Sequence, residues 1–509
     1  MKRLILLIVL CVVLINPGCE KIDFGSTNKN VNGPKDPNTG SLLSGSIARY
    51  YTRTGRPLWV TPSLYVQYMT QLVYVDEMLY ADVPQSWDTY YAQILSNLKM
   101  VIDICEDPAN ALDPIVLANG SIGNQLGVAK IMKAIIFKRV TDVYGDIPYS
   151  EALSSSNFLP AYDSQESIYK AMIADLKAAR DGMANSVRVT KGDIIFGGGS
   201  SHVGKWQKLA NSLILEFALQ LSKKYPGVAE YAAVEFNAAL TNGAGVIETI
   251  SDEAWFNYDA LNSWNNPWNW IRPADYSMSK EFCDALRGET GVGELNSTSN
   301  TTYDNRIILF ADDADLEGLG YGYTNETDAP GAYSAPSGLI LSASVPLPIM
   351  TAAYTFLNRA EAAARGWNAE NVSNMLEDGI LASYETLGDH YAAVAAELEI
   401  DISGLGDGSA YAAARVADIA TAPGGAIQVI CEEKWVALFP CGFDAWAEWR
   451  RTGYPALTPA ADAINGGVIP RRFNYPSTEA TLNRDSYLNG ITKLAPATDN
   501  NSSKMWWDQ

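Results

Sequence analysis

The sequence predicts a mainly α-helical fold with long irregular loops and few short strands. Helical spacing or helix-forming composition recurs along the chain, whereas strand-like alternation of apolar and polar residues is scarce. The helical stretches are residues 42–51, 62–78, 87–105, 164–183, 205–224, 228–240, 348–366, 372–387 and 428–449. Three long stretches lack a helical period, namely residues 241–275, 288–345 and 454–509. Such segments in a compact protein are usually functional or packed onto the scaffold.

The chain begins with the features of a secretory lipoprotein signal. Lys2 and Arg3 precede the apolar run 4–15, which is too short to span a bilayer comfortably. The tetrapeptide that ends at Cys19 resembles a lipobox, although Asn16 replaces the usual aliphatic residue. We expect residues 1–18 to be a lipoprotein signal peptide and Cys19 to carry the lipid. An ordinary thiol after a plain signal peptide is the alternative.

Residues 19–40 are expected to form a flexible tether after the lipidated cysteine. From residue 23 onward this stretch is rich in Asn, Gly, Pro, Lys and Ser, and it has almost no apolar residue after Phe24. It cannot bury enough surface to offset the entropy of ordering it. Residues 41–509 show no internal domain boundary, so we expect a single α-helical domain.

One buried helix and the corner after it organise the body of the chain. Apolar residues recur at three- and four-residue steps at Leu126, Ala129, Met132, Ile136, Val140 and Val143. Gly145 can take the left-handed conformation that stops a helix, and Pro148 lacks the N–H needed to restart one. Asp146 lies between them, where a short acceptor side chain can bond the backbone of the turn.

Composition restricts the classes of partner. The chain has 509 residues, of which 47% are hydrophobic, and a formal net charge of −21. An acidic body repels phosphate backbones, which argues against nucleic acid as a partner. It argues more weakly against sulfated or uronate-rich polymers.

Four cysteines remain after Cys11 and Cys19 are set aside, and none has zinc-type spacing. They are Cys105, Cys283, Cys431 and Cys441. On one continuous helix Cys431 and Cys441 would lie about 15 Å apart, too far for a disulfide. Pro440 can break that helix, so a bridge stays open, but we expect buried free thiols.

The sequence gives little basis for catalysis. Its only histidines are His202 and His390, and no nucleophile elbow, metalloprotease or P-loop motif is present. We expect no enzyme activity and no cofactor. Asp313, Asp315 and Glu317 resemble the start of a calcium-binding EF-hand loop, but Thr324 replaces the glutamate at its twelfth position. A solvated acidic loop is the expected alternative to calcium binding.

The segment 255–276 is the candidate ligand site. Trp264, Trp268 and Trp270 alternate there with asparagines such as Asn266, without a helical or strand period. Flat aromatic faces suit the apolar side of a sugar ring, and amides suit its hydroxyl groups. A second aromatic cluster comprises Tyr74, Tyr80 and Trp87. The W-x-x-Y pattern that begins at Trp87 indicates a structural role for that residue. We expect Trp264, Trp268, Trp270, Asn266 and Tyr80 to line a shallow platform; packing against the scaffold or a partner protein is the alternative.

Several segments resemble the SusD/RagB family of nutrient-binding outer-membrane lipoproteins. They are VTDVYGDIPYSEAL (140–153), PAYDSQESIYKAMIADLKAA (160–179), EKWVALFPCGFDAWAEWRRTGYP (433–455), IPRRFNYPSTEATLN (469–483) and KMWWD (504–508). The resemblance implies a scaffold of degenerate tetratricopeptide-like helix pairs, although no clean repeat is visible. It also implies a lipid anchor in the outer membrane that faces the cell exterior, and a SusC-type TonB-dependent transporter as partner.

The resemblance further implies that the ligand is an oligosaccharide or a similar nutrient. A peptide ligand, as RagB permits, is one alternative, and an all-helical glycoside hydrolase is another. Two positions depart from the family pattern. Tyr354 stands where the family often has Glu, and Glu216 stands where it often has Arg.

Overall fold

Helices carry the architecture, in agreement with the sequence. The computed structural model describes residues 37–53, 55–154, 156–259, 261, 264–324 and 331–509. About 51% of the protein is helical, which confirms the mainly α prediction. Among these residues, the α-helices of eight or more residues are α1 Thr39–Arg53, α2 Gly55–Tyr65, α3 Ser96–Glu106, α4 Ile122–Tyr144, α5 Gln165–Gly182, α6 Val203–Gln220, α7 Tyr231–Leu240, α8 Lys280–Arg287, α9 Ala352–Ala364, α10 Val372–Glu397, α11 Ser409–Asp418, α12 Gly425–Ala437, α13 Gly442–Thr452 and α14 Arg484–Ile491.

Helices that follow one another in the chain pack together as pairs. Helix α4 packs on α5, α6 on α7, and α9 on α10, and α5 joins the first two pairs by packing on α6. This arrangement is the tetratricopeptide-like scaffold that was expected. Residues 39–509 form one compact unit, in which α1 takes up residues 39 and 40 of the predicted tether. The predicted signal peptide and Cys19 lie outside the described residues.

Three short antiparallel pairs of strands join distant parts of the described chain. They are β1 Met69–Gln71 with β5 Tyr276–Met278, β2 Ile147–Pro148 with β3 Tyr162–Asp163, and β4 Ala254–Phe256 with β6 Leu347–Met350. The first and third pairs hold the two ends of the tryptophan-rich segment 255–276, because β4 lies at its start and β5 at its end. The long irregular loops are therefore held in place by strand pairing.

Helix α4 is the predicted buried helix. The side chain of Ser121 accepts a hydrogen bond from Asn124 N at 3.2 Å at its start, and Gly145 follows its end with φ +94°. The role expected for Asp146 is corrected. Its Oδ1 accepts from Gln165 N at 2.8 Å, so it bonds the start of α5 rather than its own turn. Burial raises the pKa of Asp146 to about 6.

Three predicted helices differ from the structure because tertiary contacts or proline interrupt the periodic pattern. The stretch 62–78 ends its helix at Tyr65, and β1 then pairs with β5. The stretch 348–366 starts its helix only at Ala352, because its first residues belong to β6. The stretch 428–449 is divided into α12 and α13 on either side of Pro440, which has no N–H to donate.

The four cysteines in the described part of the chain are buried and free, which confirms the expectation. Cys431 lies in α12, and Cys441 directly precedes α13. Burial raises the pKa of Cys431 to about 12 and that of Cys441 well above its usual range. Both side chains are therefore protonated at neutral pH.

Buried ion pairs join the C-terminal helices. Glu361 of α9 accepts from Lys434 of α12 and from Arg451 of α13, each at 2.5 Å. The two residues that depart from the family pattern also have buried partners. Tyr354 donates to Glu448 Oε1 at 2.8 Å, and Glu216 pairs with Lys138 Nζ at 2.9 Å. These residues therefore belong to the buried polar network of the scaffold.

Candidate functional site

Two amides of the tryptophan-rich segment, those of Asn266 and Asn269, hold it in place. Asn266 is 1% exposed, and its Nδ2 donates to Val345 O at 2.8 Å. Its Oδ1 accepts from the backbone N–H of Trp268 at 2.9 Å and so caps a short 3-10 helix, Pro267–Trp270. Asn269 Nδ2 donates to Leu341 O at 2.9 Å. The prediction that Asn266 faces a ligand is corrected, because both ends of its amide are occupied.

Trp268 is a core residue. It is 0% exposed, and its 3-10 helix packs on α1 and α2. The cap from Asn266 and the adjacent Pro267 direct the residue inward. A buried ring has no free face on which a sugar can stack, so Trp268 does not belong to an exposed platform in this structure.

Tyr80 is also buried, contrary to the prediction. It is 1% exposed, and its hydroxyl accepts a hydrogen bond from Ala460 N at 2.9 Å. Its carbonyl oxygen accepts from Asn501 Nδ2 at 2.9 Å. Burial raises the pKa of Tyr80 to about 12. Tyr80 therefore ties the N-terminal loop to the C-terminal part of the chain and offers no surface to a ligand.

Trp264 and Trp270 do present aromatic surface. Trp270 is 69% exposed and Trp264 is 36% exposed. Trp264 is held by two backbone hydrogen bonds with Asp259, both of 2.9 Å, and its ring centroid lies 6.3 Å from that of Phe256. Trp264 therefore packs against Phe256 of the core, while Trp270 projects into solvent.

Tyr74 is a third exposed ring, and strand pairing links its loop to this segment. It is 73% exposed and follows β1, beyond Leu72, whose N–H donates to Asp275 O at 2.8 Å. Asp275 directly precedes β5, so strand pairing places Tyr74 next to the segment that carries Trp270. Its φ of +59° is unusual for a bulky residue. Such strained residues are found preferentially at functional sites.

We call Tyr74, Trp264 and Trp270 the aromatic face. Sequence reasoning had grouped Tyr74 with Tyr80 and Trp87 but did not choose it for the site. No local pattern distinguishes it, because valines flank it on both sides. Trp87 of the same cluster packs against Tyr144 and Tyr162. The exposed faces of these rings suit stacking on the apolar faces of sugars.

The acidic loop at Asp313, Asp315 and Glu317, for which calcium was the alternative, is not among the converging carboxylate groups of the described residues. Asp313 Oδ1 accepts from Asp315 N at 2.9 Å and from Leu316 N at 3.2 Å, so it stabilises a local turn. Within the described ranges, three carboxylates converge only at Asp284, Glu289 and Glu294. Lys280 Nζ already pairs there with Asp284 at 2.9 Å and with Glu294 at 2.7 Å.

The fold defines a class: a helical repeat scaffold that carries exposed aromatic rings on its irregular loops. The chain belongs to the SusD-like family, described as starch-binding and associating with the outer membrane, whose profile matches residues 31–476. Members of this family are binding proteins rather than enzymes. The protein is therefore an outer-membrane-associated protein of a glycan- or nutrient-binding family. Among the described helices, none has the length and apolarity needed to cross a membrane.

Solved structures share the fold along nearly the whole chain. A chitin-binding protein has 24% identity and a TM-score of 0.74, over 92% of this chain and 100% of its own. A SusD homologue from Bacteroides fragilis has 23% identity and a TM-score of 0.75, over 93% and 100% of the two chains. A SusD homologue from Bacteroides uniformis has 23% identity and a TM-score of 0.67, again over 93% and 100%. No curated protein matches the sequence.

Proposed function

We propose that this protein is a surface-exposed lipoprotein that captures an oligosaccharide and passes it to a SusC-type TonB-dependent transporter. The observation that carries the proposal is the aromatic face on a scaffold of the SusD-like family. The flat faces of Trp and Tyr rings suit the apolar side of a sugar ring. The names of the family and of the chitin-binding relative support a glycan as the ligand.

The charge of the chain narrows the class of glycan. With a net charge of −21, the protein repels polyanions, so neutral or cationic sugars are favoured over sulfated or uronate-rich ones. Each ring that stacks on the aromatic face should contribute about 1 kcal/mol beyond the burial of area. Two or three such rings together supply about 2–3 kcal/mol, which tightens binding by roughly 30- to 150-fold.

The test is binding without turnover. The purified mature protein is incubated with a panel of soluble glycans and, separately, with peptides, and bound and released products are measured. We expect a glycan to bind and to be recovered intact. Recovery of shortened glycan would favour the hydrolase alternative, and binding of peptides alone would favour the peptide-binding alternative. Co-purification of a TonB-dependent transporter from membranes tests the partner.

A further inference from the structure

A polar cavity of about 550 Å³ lies between the loop 82–88 and the C-terminal segment 474–480. Its size falls within the range of small-molecule sites and is sufficient for a disaccharide. None of the residues of the aromatic face lines it. The cavity is therefore separate from the aromatic face.

The lining of this cavity is rich in hydrogen-bond acceptors. Asp82, Asp88 and Asp499 line it, whereas no Lys, Arg or His is among its described lining residues. Asp499 is already occupied, since its Oδ1 pairs with Arg472 Nη1 at 2.5 Å and its Oδ2 accepts from the hydroxyl of Tyr487 at 3.2 Å. Asp82 and Asp88 are exposed, and neither forms an ion pair within the described part of the chain.

Asn474 adds an acceptor that lacks a donor. Its side-chain oxygen is buried at the cavity without a hydrogen-bond partner among the described residues. A buried polar atom without a partner costs about 1–3 kcal/mol, a cost that a ligand hydroxyl would remove. Val83, Pro84 and Pro476 also line the cavity and add apolar surface. The site therefore requires a ligand that offers donors, positive charge and some apolar surface.

We propose that this cavity binds an amino sugar whose amine is free and protonated. The ammonium group pairs with Asp82 and Asp88, a hydroxyl donates to Asn474 Oδ1, and the C–H side of the ring rests on the prolines. A neutral sugar supplies the hydroxyl but leaves the carboxylates without a cation, and an anionic sugar is repelled by them. The site is distinct from the aromatic face and does not depend on the transport role.

The test compares three disaccharides that share one linkage. Binding to the mature protein is measured by calorimetry with the β-1,4-linked glucosamine disaccharide, with cellobiose and with N,N′-diacetylchitobiose. At about pH 6 the amine is protonated and aspartates are ionised, so we expect at least tenfold tighter binding of the free-amine disaccharide. The preference should weaken at high salt and disappear near pH 9. Equal affinity for the three disaccharides, or no binding of the free-amine one, would overturn the proposal.

Variants then locate the site. Asp82→Asn with Asp88→Asn removes the two unpaired carboxylates from exposed positions, so we expect a folded protein that has lost the preference for the amine. Asp312→Asn with Asp315→Asn, two exposed aspartates elsewhere, makes the same change in net charge and should keep the preference. Trp270→Ala should also keep it. Loss of the preference in either control, or its retention in the first variant, would contradict the proposal.

Discussion

The backbone N–H of Trp268 donates to Asn266 Oδ1 at 2.9 Å, and this bond turns the middle of the tryptophan-rich segment into the protein. The same asparagine donates to Val345 O at 2.8 Å, which fixes the segment to the strand-bearing loop on its other side. As a result Trp268 is buried, while Trp264, four residues before it, and Trp270, two residues after it, keep exposed surface. One short segment thus supplies both core packing and exposed aromatic surface.

Trp268→Ala should lower stability strongly. Removing a fully buried tryptophan leaves a cavity and costs about 3–5 kcal/mol. Trp268→Phe should cost much less, because the indole N–H has no hydrogen-bond partner among the described residues and most of the ring is retained. Chemical denaturation measures both free energies. A loss of less than about 1 kcal/mol for the alanine variant would show that the residue is not core.

Tyr80→Phe should reduce stability without changing ligand affinity. The phenol oxygen accepts the Ala460 N–H, and its removal leaves that buried donor unpaired, at a cost of about 1–3 kcal/mol. Thermal unfolding and glycan binding are measured on the same preparation. A weakened affinity at unchanged stability would return Tyr80 to the ligand site.

Asp146→Asn should change how stability depends on pH. Burial raises the pKa of Asp146 from its usual 3.8 to about 6, so the folded state binds the proton more tightly than the unfolded state. This contribution is present below about pH 4 and is lost as the pH rises through about 6, an effect on the order of 2 kcal/mol. Asparagine keeps the oxygen that accepts from Gln165 N and cannot ionise.

The free energy of unfolding of the Asp146→Asn variant, relative to the natural protein, should therefore rise between pH 4 and pH 8. Denaturant unfolding of both proteins across this range measures the difference. A difference that is constant with pH would contradict the raised pKa.

Cys19→Ala should release the protein from the membrane. The predicted anchor depends on one lipid-modified cysteine. Metabolic labelling with a fatty acid, followed by membrane fractionation, measures the attachment. A variant that still incorporates label and sediments with outer membranes would show that lipid is attached elsewhere. Gly18→Ala, which keeps a small residue before the cysteine, is the matched control and should remain attached.

The helices were predictable because their periodicity is local, as α4 and its stop at Gly145 show. The positions where helices are interrupted were not predictable. Strand β1 replaces predicted helical turns by pairing with β5, some 200 residues away, and β6 does so by pairing with β4, some 90 residues away. Helix α14 was missed within a stretch of weak periodicity. Local pattern decides helices, and distant strand partners decide where several of them end.

Which rings of the candidate segment are exposed was not predictable from the sequence. Composition correctly singles out the segment 255–276 as irregular and aromatic, yet composition cannot tell which tryptophan faces the core. That choice depends on the Asn266 cap and on contacts with α1 and α2. Tyr74 joins the region only through the pairing of β1 with β5, to which no local pattern points.

Glycan binding by the Trp264→Ala, Trp270→Ala double variant tests the central claim most directly. Calorimetry is run with the best-bound neutral glycan of the panel, beside Phe158→Ala, which removes an 85% exposed aromatic from another loop. Loss of two stacked rings should weaken binding roughly tenfold or more with little change in thermal stability, while the Phe158 variant binds normally. Unchanged affinity in the double variant, or an equal loss in the Phe158 variant, would contradict the account.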